Sequence, residues 1–238
     1  MGANSEGSSR ERRTIPDGSS SAENPDSGSE RPLAWCFYTT LHDEFLSDST
    51  TVWRGSRSVV IGKETGNDGV ATVNLRVNAL WQGVDAVPFR GSRIEVSARV
   101  KTSDVVALVL TTATELDLLP GNRQIRSLPA AHALLLPGSA TDWTTLSVIG
   151  DIPADTDVLY YVVSNDGGTR LWVDDVRVTE VGPEVPITEG VHNVGAITFV
   201  AVNPSSILAV PSNLDFESTN RSQSQEISSN ACGSVQIG

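Results

Sequence analysis

Apolar and polar residues alternate with a period of two along much of the chain. Ile94, Val96, Ala98 and Val100 fall on one side of residues 93–101, and Glu95, Ser97, Arg99 and Lys101 on the other. This is the pattern of a strand with one buried face. Val73, Leu75 and Val77 alternate in the same way with Asn74, Arg76 and Asn78. Residues 105–110 and 158–163 are instead apolar almost throughout. Strands covered on both faces read that way, as do strands lining an apolar hollow, so these two are placed centrally. The pattern predicts strands over 34–40, 57–63, 70–80, 93–101, 105–112, 132–136, 143–149, 157–164 and 170–181. Turn signals separate them, among them Gly66-Asn67-Asp68-Gly69, Pro120-Gly121-Asn122, Pro137-Gly138-Ser139 and Asn165-Asp166-Gly167-Gly168. Short strands punctuated in this way predict an all-β sandwich or barrel. No amphipathic helix is expected, and 116–119 is too short to assign.

The ends depart from this pattern. Residues 1–32 are rich in Ser, Gly, Glu, Arg and Pro with almost no large apolar side chain. Such a stretch cannot offset its ordering entropy, so it is expected to be a disordered tail. Prolines at 183, 186 and 204 argue against a regular sheet beyond 182. Residues 183–217 are therefore expected to be an extended segment with edge strands over 195–202 and 207–210. The Ser-, Asn- and Gln-rich 218–238 is expected to be a second disordered tail.

Charge and cysteine content narrow the function classes. The formal net charge is −12, which argues against nucleic-acid binding, where a basic footprint is needed. The short Arg10-Glu11-Arg12-Arg13 cluster reads as part of a solvated tail. Of the two cysteines, Cys36 sits in an apolar strand and Cys232 in a polar tail. Two free thiols and a reducing, cytoplasmic compartment are expected. No apolar run is long enough to span a bilayer. Glu6 stands where a myristoylation motif needs Ser or Thr.

Several short motifs then occur in a telling order. Trp35 precedes Gly55-Ser56-Arg57-Ser58, and Gln82 with Asp85-Ala86 precedes Phe89-Arg90-Gly91-Ser92-Arg93. Val100-Lys101-Thr102, Thr141-Asp142-Trp143 and Ile152-Pro153 follow, and Leu171-Trp172-Val173-Asp174-Asp175-Val176 closes the series. In this order they resemble the galactose-binding-like jelly-roll, a β-sandwich related to carbohydrate-binding modules and found beside bacterial helix-turn-helix regulators. The resemblance covers roughly residues 33–182, the expected ligand-binding domain. No helix-turn-helix is visible here. Residues 128–132 differ from the Asp-Asn-Met segment that relatives often carry, so the ligand class does not transfer. Asn213-Leu214-Asp215-Phe216-Glu217 resembles the segment that commonly opens a copy of this domain. It reads either as the stub of a second copy or as an edge strand of the first.

The expected function is non-catalytic binding of a small sugar-like or partly apolar ligand on a concave sheet face, because the chain offers a hollow of mixed aromatic and polar lining and no reactive constellation. The candidate ligand contacts are Trp53, Trp81, Gln82, Arg76, Arg99, Tyr161 and Trp172, with Tyr160 as a further polar group. Trp143 and Trp172 are also expected to pack the edge of the core. The resemblance further implies a structural calcium at Asp174 and Asp175, oxygen donors near a strand end. Set against it is an aspartate that caps the backbone of a neighbouring loop. No other cofactor is expected. His42, His132 and His192 stand alone, without the spacing of a zinc site. No nucleophile elbow or phosphate-binding loop occurs. The alternative is a cofactor-independent cyclase or isomerase, by fold-level analogy with the calcium-bound jelly-roll of the cyanobacterial Stig cyclases. Its acid would be Asp175, Asp174 or Glu95. A third reading is a remnant with only a scaffolding role.

Overall fold

A computed structural model describes residues 31–32, 34–39, 45–62, 78–103, 105–115, 125–127, 131–135, 142–165, 170–189, 197–201, 207–220 and 234–237. The strands in chain order are β1 (Arg31–Pro32), β2 (Cys36–Thr39), β3 (Phe45–Asp48), β4 (Ser58–Ile61), β5 (Asn78–Asp85), β6 (Arg93–Lys101), β7 (Val106–Glu115) and β8 (Ile125–Ser127). They continue as β9 (Ala131–Leu135), β10 (Thr144–Asp151), β11 (Val158–Asn165), β12 (Leu171–Val181), β13 (Ile197–Ala201), β14 (Ile207–Leu208), β15 (Thr219–Asn220) and β16 (Ser234–Ile237). The one helical element among the described residues is a 3-10 turn at Val87–Phe89.

Two sheets face each other as a jelly-roll β-sandwich. One has the order β10-β6-β12-β4-β3. The other runs β14-β5-β11-β7-β8, with β2 also on β5 and β9 also on β7. Pairing within both is antiparallel, except that β14 lies parallel to β5. The continuous apolar runs are the central strands, as their composition requires: β11 lies between β5 and β7. Strand β6 follows its alternation, with Ile94, Val96, Ala98 and Val100 all buried between the sheets. They meet Leu80, Val84, Leu108, Leu159, Tyr161 and Val163 from the opposite sheet in one core.

Several expectations change. The strand expected at 70–80 is centred later, at Asn78–Asp85, and the alternation at 73–77 lies outside the described residues. Strand β3 has no counterpart in the predicted set. Much of the N-terminal tail lies outside the described residues, but Arg31–Pro32 pairs with Thr219–Asn220. The C-terminal tail is not wholly irregular either, since Ser234–Ile237 pairs with β13. There Val235 and Ile237 alternate with Ser234 and Gln236, a short strand pattern hidden in a polar composition.

The core also extends past residue 182. Phe216 is 0% exposed and belongs to the inter-sheet core, its ring centroid 5.1 Å from that of Trp35. The Trp35 indole Nε1–H donates to the Asn213 carbonyl at 2.9 Å, and the Val176 N–H to the Leu214 carbonyl at 3.0 Å. Residues 213–217 therefore complete the domain that precedes them. Nearer the boundary, Arg93 forks onto Asp151 at 2.6 and 2.9 Å while its Nη1 donates to the carbonyls of Pro183 and Val185. Ile149 and Thr188 exchange two further bonds, which fastens this stretch along the β10 edge.

The expectation of two free thiols is corrected: Cys36 is disulfide-bonded. It sits opposite Trp81, on the face of its sheet turned away from the inter-sheet core. The chain's other cysteine is Cys232, outside the described residues. Reduction is expected to lower the unfolding free energy by about 2–4 kcal/mol. At about 2–4 °C of Tm per kcal/mol for a chain of this size, melts with and without dithiothreitol read this directly. An unchanged Tm would show that the bridge contributes nothing.

Candidate functional site

The strongest local organisation surrounds the loop over residues 49–57, which leaves β3 and enters β4. Three carboxylates from distant parts of the chain hold it. Asp48 forms an Asx-type turn, its Oδ1 accepting from the Thr50 N–H and hydroxyl, both at 2.7 Å, and from the Thr51 N–H at 3.4 Å. Its Oδ2 accepts the Trp172 indole N–H at 2.7 Å. Asp174 reaches up from β12 to accept the N–H groups of Trp53 at 2.9 Å and Arg54 at 3.1 Å. Glu217 accepts the N–H groups of Ser56 at 2.7 Å and Arg57 at 3.1 Å, and also the Ser56 hydroxyl. Gly55 is at φ 76°, and a Cβ there would lie 2.1 Å from Glu217 Oε1. Glycine is thus required both for the backbone conformation and for the approach of the carboxylate.

The position of Asp174 follows from a β-bulge. Leu171 and Val173 point into the core, so an unbroken β12 would aim Asp175 inward as well. The register instead shifts between Asp174 and Arg177, with Asp175 at φ 45°. Val176 takes the core position. Asp174 is left on the outer side of its sheet, 0% exposed beneath the loop, and Asp175 pairs with Arg177 at 2.7 Å.

The two aspartates expected at a calcium are engaged with protein donors. Both oxygens of Asp174 already accept N–H groups, the third being that of Asp175 at 2.7 Å. Asp175 is paired with a guanidinium, and no group of three or more His, Cys, Asp or Glu side chains placed to hold a metal occurs among the described residues. The backbone-capping reading describes Asp174. Burial raises its pKa; the N–H donors of Arg54, Trp53 and Asp175 act against that, and the Asp175 charge adds to it.

Held this way, the loop presents Trp53 at 44% exposure on the outer face of the five-stranded sheet. The Arg99 guanidinium carbon lies 4.2 Å over the centre of its ring, a cation–π contact. The Trp143 ring is 6.5 Å away, tilted by 56°. Lys101, Cα partner of Trp172, follows Arg99 on the same face of β6.

Three of the expected ligand contacts, Trp53, Arg99 and Trp172, are therefore brought to this one face. Trp143, expected at the core edge, joins them. Three others are placed elsewhere. Tyr161 donates to Gln82 Oε1 between the sheets, and burial pushes its phenol pKa up. The Gln82 amide also bridges the carbonyls of Ala34 at 3.0 Å and Ser212 at 2.9 Å. Trp81 is 1% exposed and packs edge-on against Tyr160, on the far side of the seven-stranded sheet. A ligand would have to open the sandwich to reach Gln82 or Tyr161. Arg76 lies outside the described residues. Glu95 accepts the Ser147 hydroxyl on the outer face of the five-stranded sheet. Sequence reasoning missed Asp48 and Glu217 as loop anchors. The Asp48-Ser49-Thr50 turn signal was readable for the first, and no local signal exists for the second.

The anchors give the site a pH dependence. Burial raises the pKa of Asp48, but the hydrogen bonds from Thr50, Trp172 and Thr51 outweigh it and the net shift is downward. Glu217 is likewise lowered on balance by Ser56 and Arg57. A depressed carboxylate contributes stability that is present above its unfolded pKa, about 3.9 for Asp and 4.3 for Glu, and lost as pH falls through the folded value. Asp174 has the opposite sign, and acidification relieves its burial. Tm is thus expected to hold between pH 7 and about 5 and to fall below about 4. Glu217→Gln should flatten part of that fall. Thermal melts across this range test it, and an unchanged profile in the variant would remove Glu217 from the account.

No family model and no curated protein matches this sequence. Some solved structures are similar to part of it at a low level. One holds the family 22 carbohydrate-binding and catalytic modules of Clostridium thermocellum xylanase 10B with xylohexaose. It is 14% identical over 68% of this chain and 30% of that one, with a TM-score of 0.42. The C-terminal family 22 module of the same enzyme is 16% identical over 68% and 99%, also at 0.42. A family 61 module with β-1,4-galactotriose is 13% identical over 63% and 91%, again at 0.42. Likeness of this degree carries no argument about the ligand of the present chain. No helix among the described residues is long and apolar enough to cross a membrane.

Proposed function

We propose that the domain is a non-catalytic binding module that takes a sugar-like ligand on the Trp53 face of the five-stranded sheet. The observation that carries this is the exposed indole of Trp53, held by a loop whose amides at 53, 54, 56 and 57 are fixed by two carboxylates. A rigid aromatic surface beside hydrogen-bonding groups suits the apolar face and hydroxyl rim of a pyranose ring. Its cost in ordering is small, because the loop is set before the ligand arrives. The cyclase reading needs a carboxyl free to act in an apolar pocket. Asp174, Asp175 and Glu95 are each committed to protein partners, so nothing among the described residues favours it. The bonded Cys36 favours an oxidising compartment over the cytoplasmic one expected from free thiols.

Titration of the protein with a panel of soluble polysaccharides, followed by calorimetry and affinity electrophoresis, tests the reading. Trp53→Ala should weaken binding about 30-fold, the ~2 kcal/mol typical of a hot-spot tryptophan. As a surface change it should alter stability by only about 0.5 kcal/mol. Undiminished binding by the variant, or no binding of any saccharide, would reject the proposal.

A further inference from the structure

Resting on that reading, we propose that the ligand is an anionic saccharide, one whose ring lies on Trp53 and Trp143 while its carboxylate or sulfate is taken by Arg99 and Lys101. The charge pattern points there. Four cations have acidic neighbours, three of them in ion pairs: Arg90 pairs with Asp157 at 2.8 Å, Arg93 with Asp151 at 2.6 Å, and Arg177 with Asp175 at 2.7 Å. Arg57 stands beside Glu217 and lowers its pKa. Arg54, Arg99 and Lys101 have no ion-pair partner among the described residues. In a chain of net charge −12, carboxylates are abundant, yet these three cations are left without one. They also share a location. Arg99 covers the Trp53 ring, Arg54 follows Trp53 in the loop, and Lys101 lies opposite Trp172 in register.

The nearby carboxylates do not neutralise them. Asp174, opposite Arg99 in register, accepts three backbone N–H groups beneath the loop. Asp48 is occupied by Thr50, Thr51 and Trp172, Asp142 accepts the Trp143 N–H, and Glu95 faces Ser147. An anionic group on the ligand would thus supply the missing partner. A guanidinium already stacked on an indole is oriented to accept it in fork geometry. The strongly negative remainder of the chain disfavours duplex nucleic acid, a stiff rod whose phosphates would extend over acidic surface, more than a flexible saccharide that meets the protein at this one face.

The test uses polymers that differ in charge and share a backbone: polygalacturonate against its methyl ester, and dextran sulfate against dextran. Expected is binding of at least one anionic form that exceeds its neutral counterpart by about tenfold or more. It should weaken between 0.1 and 1 M salt, as the screening length falls from about 10 to 3 Å. Whether polygalacturonate or dextran sulfate binds separates carboxylate from sulfate. The double variant Arg99→Gln/Lys101→Gln should lose that excess. Arg90→Gln, which removes a paired cation elsewhere, should keep the excess. Equal binding of charged and neutral forms would overturn the anionic proposal and leave sugar binding standing. Binding of no polymer would overturn both. Duplex DNA or anionic lipid vesicles binding as tightly as the best polysaccharide would overturn the anionic-sugar assignment in favour of a general polyanion surface.

Discussion

Phe216→Ala is expected to destabilise the protein by about 3–5 kcal/mol, the range for emptying a fully buried aromatic site. Ending the chain at residue 206 is expected to abolish cooperative unfolding. Both follow from where the late segment sits. Phe216 is in the core against Trp35, with the backbone around it bonded to the Trp35 indole and to Val176. The truncation would also strip β14 from the β5 edge and remove Ser212 and Asn213, whose carbonyls receive Gln82 and Trp35. Buried donors would then lack acceptors, each at about 1–3 kcal/mol. It would further remove Cys232, whereas the point variant keeps both cysteines and so isolates the packing contribution. Urea titrations of the two proteins decide the matter. A truncated chain that unfolds in one sharp transition at a near-native midpoint would show that residues 207–217 are an accessory.

How much of this was readable in advance depended on the range of the interactions. Strand β6 was legible because its alternation is strict over 93–101, and β7 and β11 because they are apolar on both faces. β5 was placed too early, because the alternation at 73–77 is locally stronger than Trp81-Gln82-Gly83-Val84, where a buried glutamine breaks the pattern. That glutamine is tolerated through bonds to Tyr161, Ala34 and Ser212, residues up to 130 positions away. The candidate site divides in the same way. Trp53, Arg99 and Trp172 were identifiable as chemistry, but only the register of β6, β12 and β10 sets them on one face. Glu217 could not be assigned to the loop at 55–57 from sequence, because a contact spanning 161 positions leaves no periodic trace. The bulge at Asp175 was equally hidden: an Asp-Asp pair within a strand predicts opposite faces, and the shifted register overrides that.

Asp174→Ala is expected to cost about 2–4 kcal/mol of stability, because three part-buried N–H groups lose their acceptor, each at the lower end of about 1–3 kcal/mol. Partial relaxation of the loop toward water sets the upper bound. The same change should weaken ligand binding, since Trp53 and Arg54 hang from that carboxylate by their own amides. A loop freed at this point must be reordered on binding, and the penalty should appear as a loss of about tenfold or more. Asp175→Asn is the informative companion. It removes an equal charge one residue away, tolerates the positive φ, and breaks a surface pair with Arg177 worth about 0–1 kcal/mol. Stability and affinity should therefore fall together for Asp174 and stay near wild type for Asp175. Trp53→Ala should lose affinity with stability intact, which separates the group that meets the ligand from the group that positions it. If Asp174→Ala melted like wild type, the loop would be held by Asp48 and Glu217 alone, and the preorganised platform would lose its central support.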